Sequence, residues 1–188
     1  ARLLLGVLAG SEVVATMVGD TSLQARPMHR VCDPLQAMGA RLEYLDVEGH
    51  IPIRVDHSHP LRSIEWRSPV ASAQVKSSIL LAGLVGGART IVTEPRQSRD
   101  HTERLLAQRG VAISTRDVPE GHQVELGDPS NVLSPLDFSV PGDVSSAAFI
   151  LALAALGGAG TSVTTVNVGL NPTRTAFLDV FARMGVSL

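Results

Sequence analysis

Three runs of mostly apolar residues recur along the chain, and each run ends in glycine. They span residues 2–10, 77–87 and 147–158. Apolar residues on most faces are typical of a helix buried between two layers, and glycine commonly follows a helix C-terminus. A segment rich in Val, Ile and Thr comes after each run, at 13–18, 90–93 and 162–166. The pattern therefore predicts a buried helix followed by a strand, three times.

A second amphipathic helix is predicted after each of these strands. The three helices span residues 26–38, 99–109 and 174–184. They end at Gly39, Gly110 and Gly185, so the repeat has periods of 71 and 75 residues. Two short strands follow in the first two copies, 40–44 with 51–55 and 111–115 with 123–126. The repeating unit is read as β-α-β-α-β-β, which places the chain in the α/β (α+β) class.

The ends of the chain do not coincide with the ends of repeat units. The first copy begins inside a predicted helix with no strand before it, and the third stops inside its next predicted strand. Natural domains seldom begin or end in this way. We therefore expect the sequence to be a piece of a longer polypeptide, the alternative being a short protein with ragged ends.

Composition and charge exclude several classes of partner. Lys plus Arg total 16 against 18 Asp plus Glu, a net charge of −2 that argues against a nucleic-acid partner. Aromatic residues make up only 3%, too few for base stacking. Cys32 is the one cysteine, so no disulfide forms within the chain. No apolar run reaches the roughly 18 residues that span a bilayer. These features predict a soluble, cytoplasmic protein.

One candidate binding residue, Arg26, lies in the polar stretch 19–28. Pro27 suits the first turn of a helix, so Arg26 is expected beside a helix N-terminus. A guanidinium beside a helix N-terminus suits a phosphate or carboxylate. The alternative is a surface arginine in an ordinary salt bridge.

The small residues of 68–77 precede the second apolar helix. Ser72 offers a hydroxyl, Ala73 a backbone N–H and Gln74 both a donor and an acceptor. Small side chains let the backbone approach a ligand closely. The alternative is a simple helix cap, which serine often provides.

A third candidate stretch, 94–103, contains Ser98 and Arg99. Ser98 is predicted to cap the following helix. Arg99 would then lie at a helix N-terminus, where the dipole disfavours a cation, and residues placed against local preference concentrate at functional sites. The alternative is that Arg99 pairs with Asp100 or Glu103.

Three other features of the sequence give weaker evidence of function. His57 and His59 lack further ligands at metal-binding spacing, so no metal is predicted. The glycines of 157–160 follow a helix rather than opening one, which does not fit a phosphate-binding loop. Cys32 lies among apolar helical positions and is interpreted as a packing residue.

Five motifs resemble those of the 5-enolpyruvylshikimate-3-phosphate synthase family, in the family's order and spacing. They are Gly-Asp-Thr-Ser-Leu-Gln-Ala-Arg-Pro-Met at 19–28, Ser-Ala-Gln-Val-Lys-Ser at 72–77, Ser-Arg-Asp-His-Thr-Glu at 98–103, Pro-Gly-Asp-Val-Ser-Ser-Ala-Ala-Phe at 141–149 and Asn-Pro-Thr-Arg-Thr at 171–175. The resemblance covers essentially all 188 residues. It is nearest to the bacterial branch with alanine at position 73.

The resemblance implies a monomeric two-lobed enzyme without cofactor or metal. Residues 1–140 would form most of the N-terminal-side substrate lobe, and 141–188 the start of the second lobe. Such an enzyme moves the enolpyruvyl group of phosphoenolpyruvate to the 5-hydroxyl of shikimate 3-phosphate and releases phosphate. By motif, Arg26 would hold phosphoenolpyruvate and Gln74 would touch both substrates. Shikimate 3-phosphate would be held by Ser72, Ala73, Ser98 and Arg99.

The family's acid–base residues are not among the matched motifs, so the 188-residue chain alone is expected to be inactive. Two other functions stay open. One is enolpyruvyl transfer to a UDP-amino-sugar, which resembles this family in architecture but usually has a cysteine in a loop. The other is a non-catalytic binding module built from repeats, although no charged stripe favours it.

Overall fold

The computed structural model describes residues 1–56, 60–129, 133–158 and 160–188. The chain divides into two compact units, Ala1–Pro135 and Leu136–Leu188, so the division falls five residues before the expected lobe boundary. The first unit contains α1 (Arg2–Gly10), β1 (Ala15–Met17), α2 (Thr21–Gln24), α3 (His29–Ala37), β2 (Arg41–Tyr44), β3 (Ile53–Asp56), β4 (Ile64–Arg67), α4 (Ala73–Gly86), β5 (Thr90–Glu94), α5 (His101–Gln108), β6 (Ile113–Val118) and β7 (Gly121–Leu126).

Two sheets organise the first unit. The first has the order β1-β3-β2 with antiparallel pairs, for example Thr16 opposite Arg54. The second has the order β4-β5-β7-β6, in which β4 and β5 are parallel and the other pairs antiparallel. The mixed α/β class predicted from the repeat is confirmed. The strand β4, to which no residues were assigned from the sequence, completes the β-α-β-α-β-β unit that ends with β7.

Helix α4 lies at the centre of this unit because it is apolar on most of its faces. Val75, Ile79 and Ala82 join the core formed by α1, α3 and the first sheet. Leu80 belongs to a second cluster with α5 and β7. The prediction of a helix buried between layers is therefore confirmed for α4.

Glycine allows α1 and α4 to pack closely. A Cβ atom added at Gly6 would lie 2.2 Å from the carbonyl oxygen of Ser78. The Ser78 hydroxyl also donates to the carbonyl oxygen of Arg2, at 3.0 Å. The two helix backbones are thus in direct contact at this glycine.

We expect Gly6→Ala to lower the free energy of unfolding by about 1–3 kcal/mol, since a methyl group forced into a packed contact displaces its neighbours. Urea denaturation measures the loss. Gly158→Ala is the control, because a Cβ at Gly158 would meet no atom within 4 Å. An equal effect of the two substitutions would contradict the close packing.

Two helices of this first unit begin later than the sequence pattern predicts. The helix predicted from residue 26 is α3, which begins at His29 with Met28 as its N-cap, so Pro27 precedes the helix. The helix predicted from residue 99 is α5, which begins at His101 after Asp100. Both corrections move the arginines at 26 and 99 out of a first helical turn and into the preceding loop.

The second unit contains α6 (Val144–Ala155), a 3₁₀ turn (Pro172–Arg174) and α7 (Ala176–Arg183). The strand predicted at 162–166 does not form. A strand requires a partner, and among the described residues of this unit the backbone pairing is a single bridge between Gly142 and Val168. The prediction that the helix at 147–158 is buried is also wrong here, since Phe149 is 79% and Leu156 86% exposed.

Within the described ranges, every helix is too short or too polar to span a bilayer.

Candidate functional site

Two loops leave the same edge of the second sheet. Strands β4 and β5 are parallel, so their carboxyl ends lie side by side. The Ser68 N–H continues their pairing by donating to the Thr93 carbonyl at 2.8 Å. The loop after β4 leads to α4 and the loop after β5 leads to α5. This edge is where open α/β sheets usually bind ligands.

The carboxylate of Glu94, the last residue of β5, ties the two loops together. Its Oε2 accepts the Ser72 backbone N–H at 3.2 Å. Its Oε1 accepts the Ser98 backbone N–H at 2.8 Å and the Ser98 hydroxyl at 2.7 Å. Ser72 caps α4 as well, since its hydroxyl oxygen accepts the Val75 N–H at 3.4 Å.

The prediction that Ser98 caps the following helix is therefore wrong. The N-cap of α5 is Asp100, and the Ser98 hydroxyl is used by Glu94. A buried carboxylate is a stronger acceptor for that hydroxyl proton than any neutral group.

Lys76 and Glu103 complete a buried charge cluster with Glu94. The Lys76 Nζ lies 2.8 Å from Glu94 Oε1 and 2.7 Å from Glu103 Oε1. None of the three side chains is more than 5% exposed. Lys76 comes from α4 and Glu103 from α5, so one ammonium group joins both helices to the end of β5.

Hydrogen bonding sets the pKa of Glu94. Burial acts to raise this pKa, but the hydrogen bonds from Lys76 and Ser98 outweigh burial and hold the pKa below its ordinary value of 4.5. The folded protein therefore favours the ionised carboxylate more than the unfolded chain does.

We expect this carboxylate to make stability depend on acid. Its contribution is fully present above pH 4.5 and is lost as the pH falls through the lower pKa of the folded protein. Urea denaturation at several pH values between 6 and 3 measures the loss in the wild type and in Glu94→Gln. The variant should show a flatter decline; an unchanged decline would contradict the assignment.

A cleft of about 240 Å³ opens beside the two loops. It is lined by Leu3, Ala73, Gln74, Ser77, Arg99, His101 and Thr102. The hydroxyl groups of Ser77 and Thr102 lie 2.6 Å apart and link α4 to α5 within this lining. Gln74 and Arg99 are exposed.

Arg99 has no ion pair or hydrogen bond from its side chain among the described residues. Its two expected alternative partners are engaged elsewhere: Asp100 Oδ2 accepts from Arg104 Nε at 2.7 Å, and Glu103 contacts Lys76. An exposed guanidinium at the wall of a cleft is suited to an anionic ligand.

The structure brings five of the six candidate residues to this edge of the sheet. Ala73, Gln74 and Arg99 line the cleft, and Ser72 and Ser98 immediately precede cleft residues. Arg26 does not line the cleft; it is an exposed residue between α2 and α3.

Arg2 connects the stretch around Arg26 to the cleft, and the sequence analysis missed it. Its Nη2 donates to the Pro27 carbonyl at 2.9 Å, and its Nη1 donates to the side-chain oxygen of Gln74. A signal was available, because Arg2 is the one charged residue in the helix Arg2–Gly10 and lies at its N-terminus. The helix dipole disfavours a cation at that position, which is the same signal that singled out Arg99.

The described residues offer no cluster of metal ligands, and the single cysteine is buried. No group of three or more potential metal ligands occurs in them, and His57 and His59 lie outside the described ranges. Cys32 is fully buried in the core, and burial raises the pKa of its thiol. That environment fits the interpretation of Cys32 as a packing residue.

Comparisons with known proteins agree with the motifs. A family model described as EPSP synthase (3-phosphoshikimate 1-carboxyvinyltransferase) matches residues 1–188. The 3-phosphoshikimate 1-carboxyvinyltransferases of Bacillus licheniformis and Salinibacter ruber are each 47% identical over the whole chain. A solved EPSP synthase from Acinetobacter baumannii is 40% identical, with a TM-score of 0.82 over 98% of this chain.

The chain spans 42% of the length of those two curated relatives and 40% of the solved structure.

Proposed function

Because the chain belongs to the EPSP synthase family, we propose that it supplies the shikimate 3-phosphate side of the active site of a 3-phosphoshikimate 1-carboxyvinyltransferase. The observation that carries this proposal is the cleft at the carboxyl ends of β4 and β5. It combines the Arg99 guanidinium, which has no side-chain partner within the described ranges, with the amide of Gln74 and the start of α4 at Ala73. A sugar-like ring bearing a phosphate and a carboxylate matches these donors in charge and in hydrogen-bonding groups.

The proposed reaction transfers the enolpyruvyl group of phosphoenolpyruvate. The 5-hydroxyl group of shikimate 3-phosphate gives up its proton to a base and its oxygen bonds to C2 of phosphoenolpyruvate, while the C2–C3 double bond opens and C3 gains a proton. Loss of a C3 proton and of the phosphate from C2 then restores the double bond. In this scheme Arg99 and the loops around Ser72 and Ser98 hold shikimate 3-phosphate, Gln74 contacts both substrates, and Arg26 holds phosphoenolpyruvate.

The chain's own contribution to this chemistry is binding and orientation. The residues that line the cleft include no Asp or Glu side chain that could act as a carboxylate base. We infer that the 188-residue chain binds shikimate 3-phosphate without turnover. Proton transfer then requires groups that a protein as long as the relatives would supply.

Two measurements test the proposal. Calorimetry of the chain with shikimate 3-phosphate should give a dissociation constant near millimolar, about −4 kcal/mol, that weakens as salt is raised. A protein as long as the relatives should release phosphate from phosphoenolpyruvate when shikimate 3-phosphate is the acceptor. Phosphate release only with a UDP-amino-sugar as acceptor would favour enolpyruvyl transfer to that sugar. Failure to bind either acceptor would favour a non-catalytic module.

A further inference from the structure

Glu94 receives four donors, yet it does not line the cleft. The donors are the backbone N–H groups of Ser72 and Ser98, the Ser98 hydroxyl and the Lys76 ammonium group. The Glu94 side chain is 0% exposed, so a ligand in the cleft does not reach it. Its contacts are thus with the loops that border the site.

Each loop contact is one residue away from a residue that lines the cleft. Ser72 precedes Ala73, and Ser98 precedes Arg99. The backbone positions of Ala73 and Arg99 therefore depend on bonds that end at one carboxylate. We propose that Glu94, held in place by Lys76, is a positioning residue that sets the spacing of Ala73 and Arg99 for shikimate 3-phosphate.

Both oxygens of the carboxylate are needed for this role. Oε1 serves Ser98 and Lys76, and Oε2 serves the Ser72 N–H. A glutamine has one acceptor oxygen and an NH₂ group that only donates, so it satisfies one loop and faces a donor of the other. An aspartate keeps the charge but is one methylene shorter. Either replacement frees at least one loop.

Lys76 and Glu103 also hold the Glu94 carboxylate in place. The Lys76 ammonium lies between the two carboxylates, with Glu103 2.7 Å away on α5. Helix α5 begins two residues after Arg99, so the cluster also fixes the start of the helix that follows the Arg99 loop.

The inference rests on the proposed transferase function. It is tested by steady-state kinetics of a protein as long as the relatives. In Glu94→Gln and Glu94→Asp, the KM for shikimate 3-phosphate should rise by about tenfold or more, because an error of about 1 Å in placement has effects of this size. The KM for phosphoenolpyruvate should rise by less, since only Gln74 of its two proposed contacts adjoins a loop held by Glu94, and the Arg26 stretch has no bond to Glu94.

Glu125→Gln is the matched control. Glu125 lies on β7 of the same sheet, and its carboxylate pairs with Arg89 at 2.6 Å instead of with either loop. This variant should keep both KM values. If Glu94→Gln does not fold, Glu94→Asp carries the test, since it keeps the charge that balances Lys76.

The possible failures are distinguishable. A folded Glu94 variant with a lowered Tm and an unchanged KM for shikimate 3-phosphate would make Glu94 a purely structural group and overturn the inference. Equal rises in both KM values would also overturn it, because the loops would then have no selective role. A wild-type protein that releases no phosphate would instead overturn the proposed function.

Discussion

Arg99→Ala should weaken binding of shikimate 3-phosphate by about tenfold to a hundredfold, because a hydrogen bond to a charged group contributes about 1.5–3 kcal/mol. The guanidinium lines the cleft and has no partner among the described residues, so its removal should leave the fold intact. Calorimetry at low and raised salt measures the affinity, and the Tm of the variant should match that of the wild type.

Arg96→Ala is the control for Arg99→Ala. Arg96 is an exposed residue of the same loop but does not line the cleft, so its removal changes the net charge equally. It should weaken binding only slightly, through a long-range effect that salt screens. If both variants weaken binding to the same extent, Arg99 contributes general positive charge and makes no direct contact.

Lys76→Met should have the largest effect on folding. The substitution leaves the carboxylates of Glu94 and Glu103 buried without a cation, and breaking a buried ion pair in this way costs about 3–5 kcal/mol. Typical domains have only about 5–15 kcal/mol of stability in total. We therefore expect a much lower urea midpoint, or a chain that is largely unfolded.

Two further variants separate charge from packing in the Lys76 result. Arg89→Met removes a cation whose side chain is 50% exposed, and should cost no more than about 1 kcal/mol. Lys76→Met combined with Glu94→Gln and Glu103→Gln removes the whole cluster's charge and should recover part of the loss. Equal stability of Lys76→Met and Arg89→Met would contradict a buried cluster.

The sequence pattern predicted those helices and strands whose burial is visible in their own residues. The apolar run ending in glycine identified α4, and the short strand predicted at 123–126 from the repeat corresponds to β7. The strand at 162–166 was predicted on equal grounds and does not form. A β-branched composition does not supply the partner strand that a ladder needs.

The candidate site was predicted only in part, because local patterns identify loop residues but not their distant partners. Gln74 and Arg99 were identified from their loops, and the structure places both at one cleft. The role of Ser98 was missed because its hydroxyl prefers Glu94, a buried acceptor at the end of the preceding strand. Lys76 has partners 18 and 27 residues away, so no local pattern connects them.

The strand orders of the two sheets have an evolutionary consequence. The order β1-β3-β2 of the first sheet corresponds to β5-β7-β6 in the second, with the same antiparallel directions. Such a correspondence is what tandem duplication of an ancestral segment leaves behind. Among the described residues 1–56 no charged side chain is buried, whereas the second copy contains Lys76, Glu94 and Glu103. The two copies thus share a strand order but differ in their interiors, which hold apolar side chains in the first and a buried charge cluster in the second.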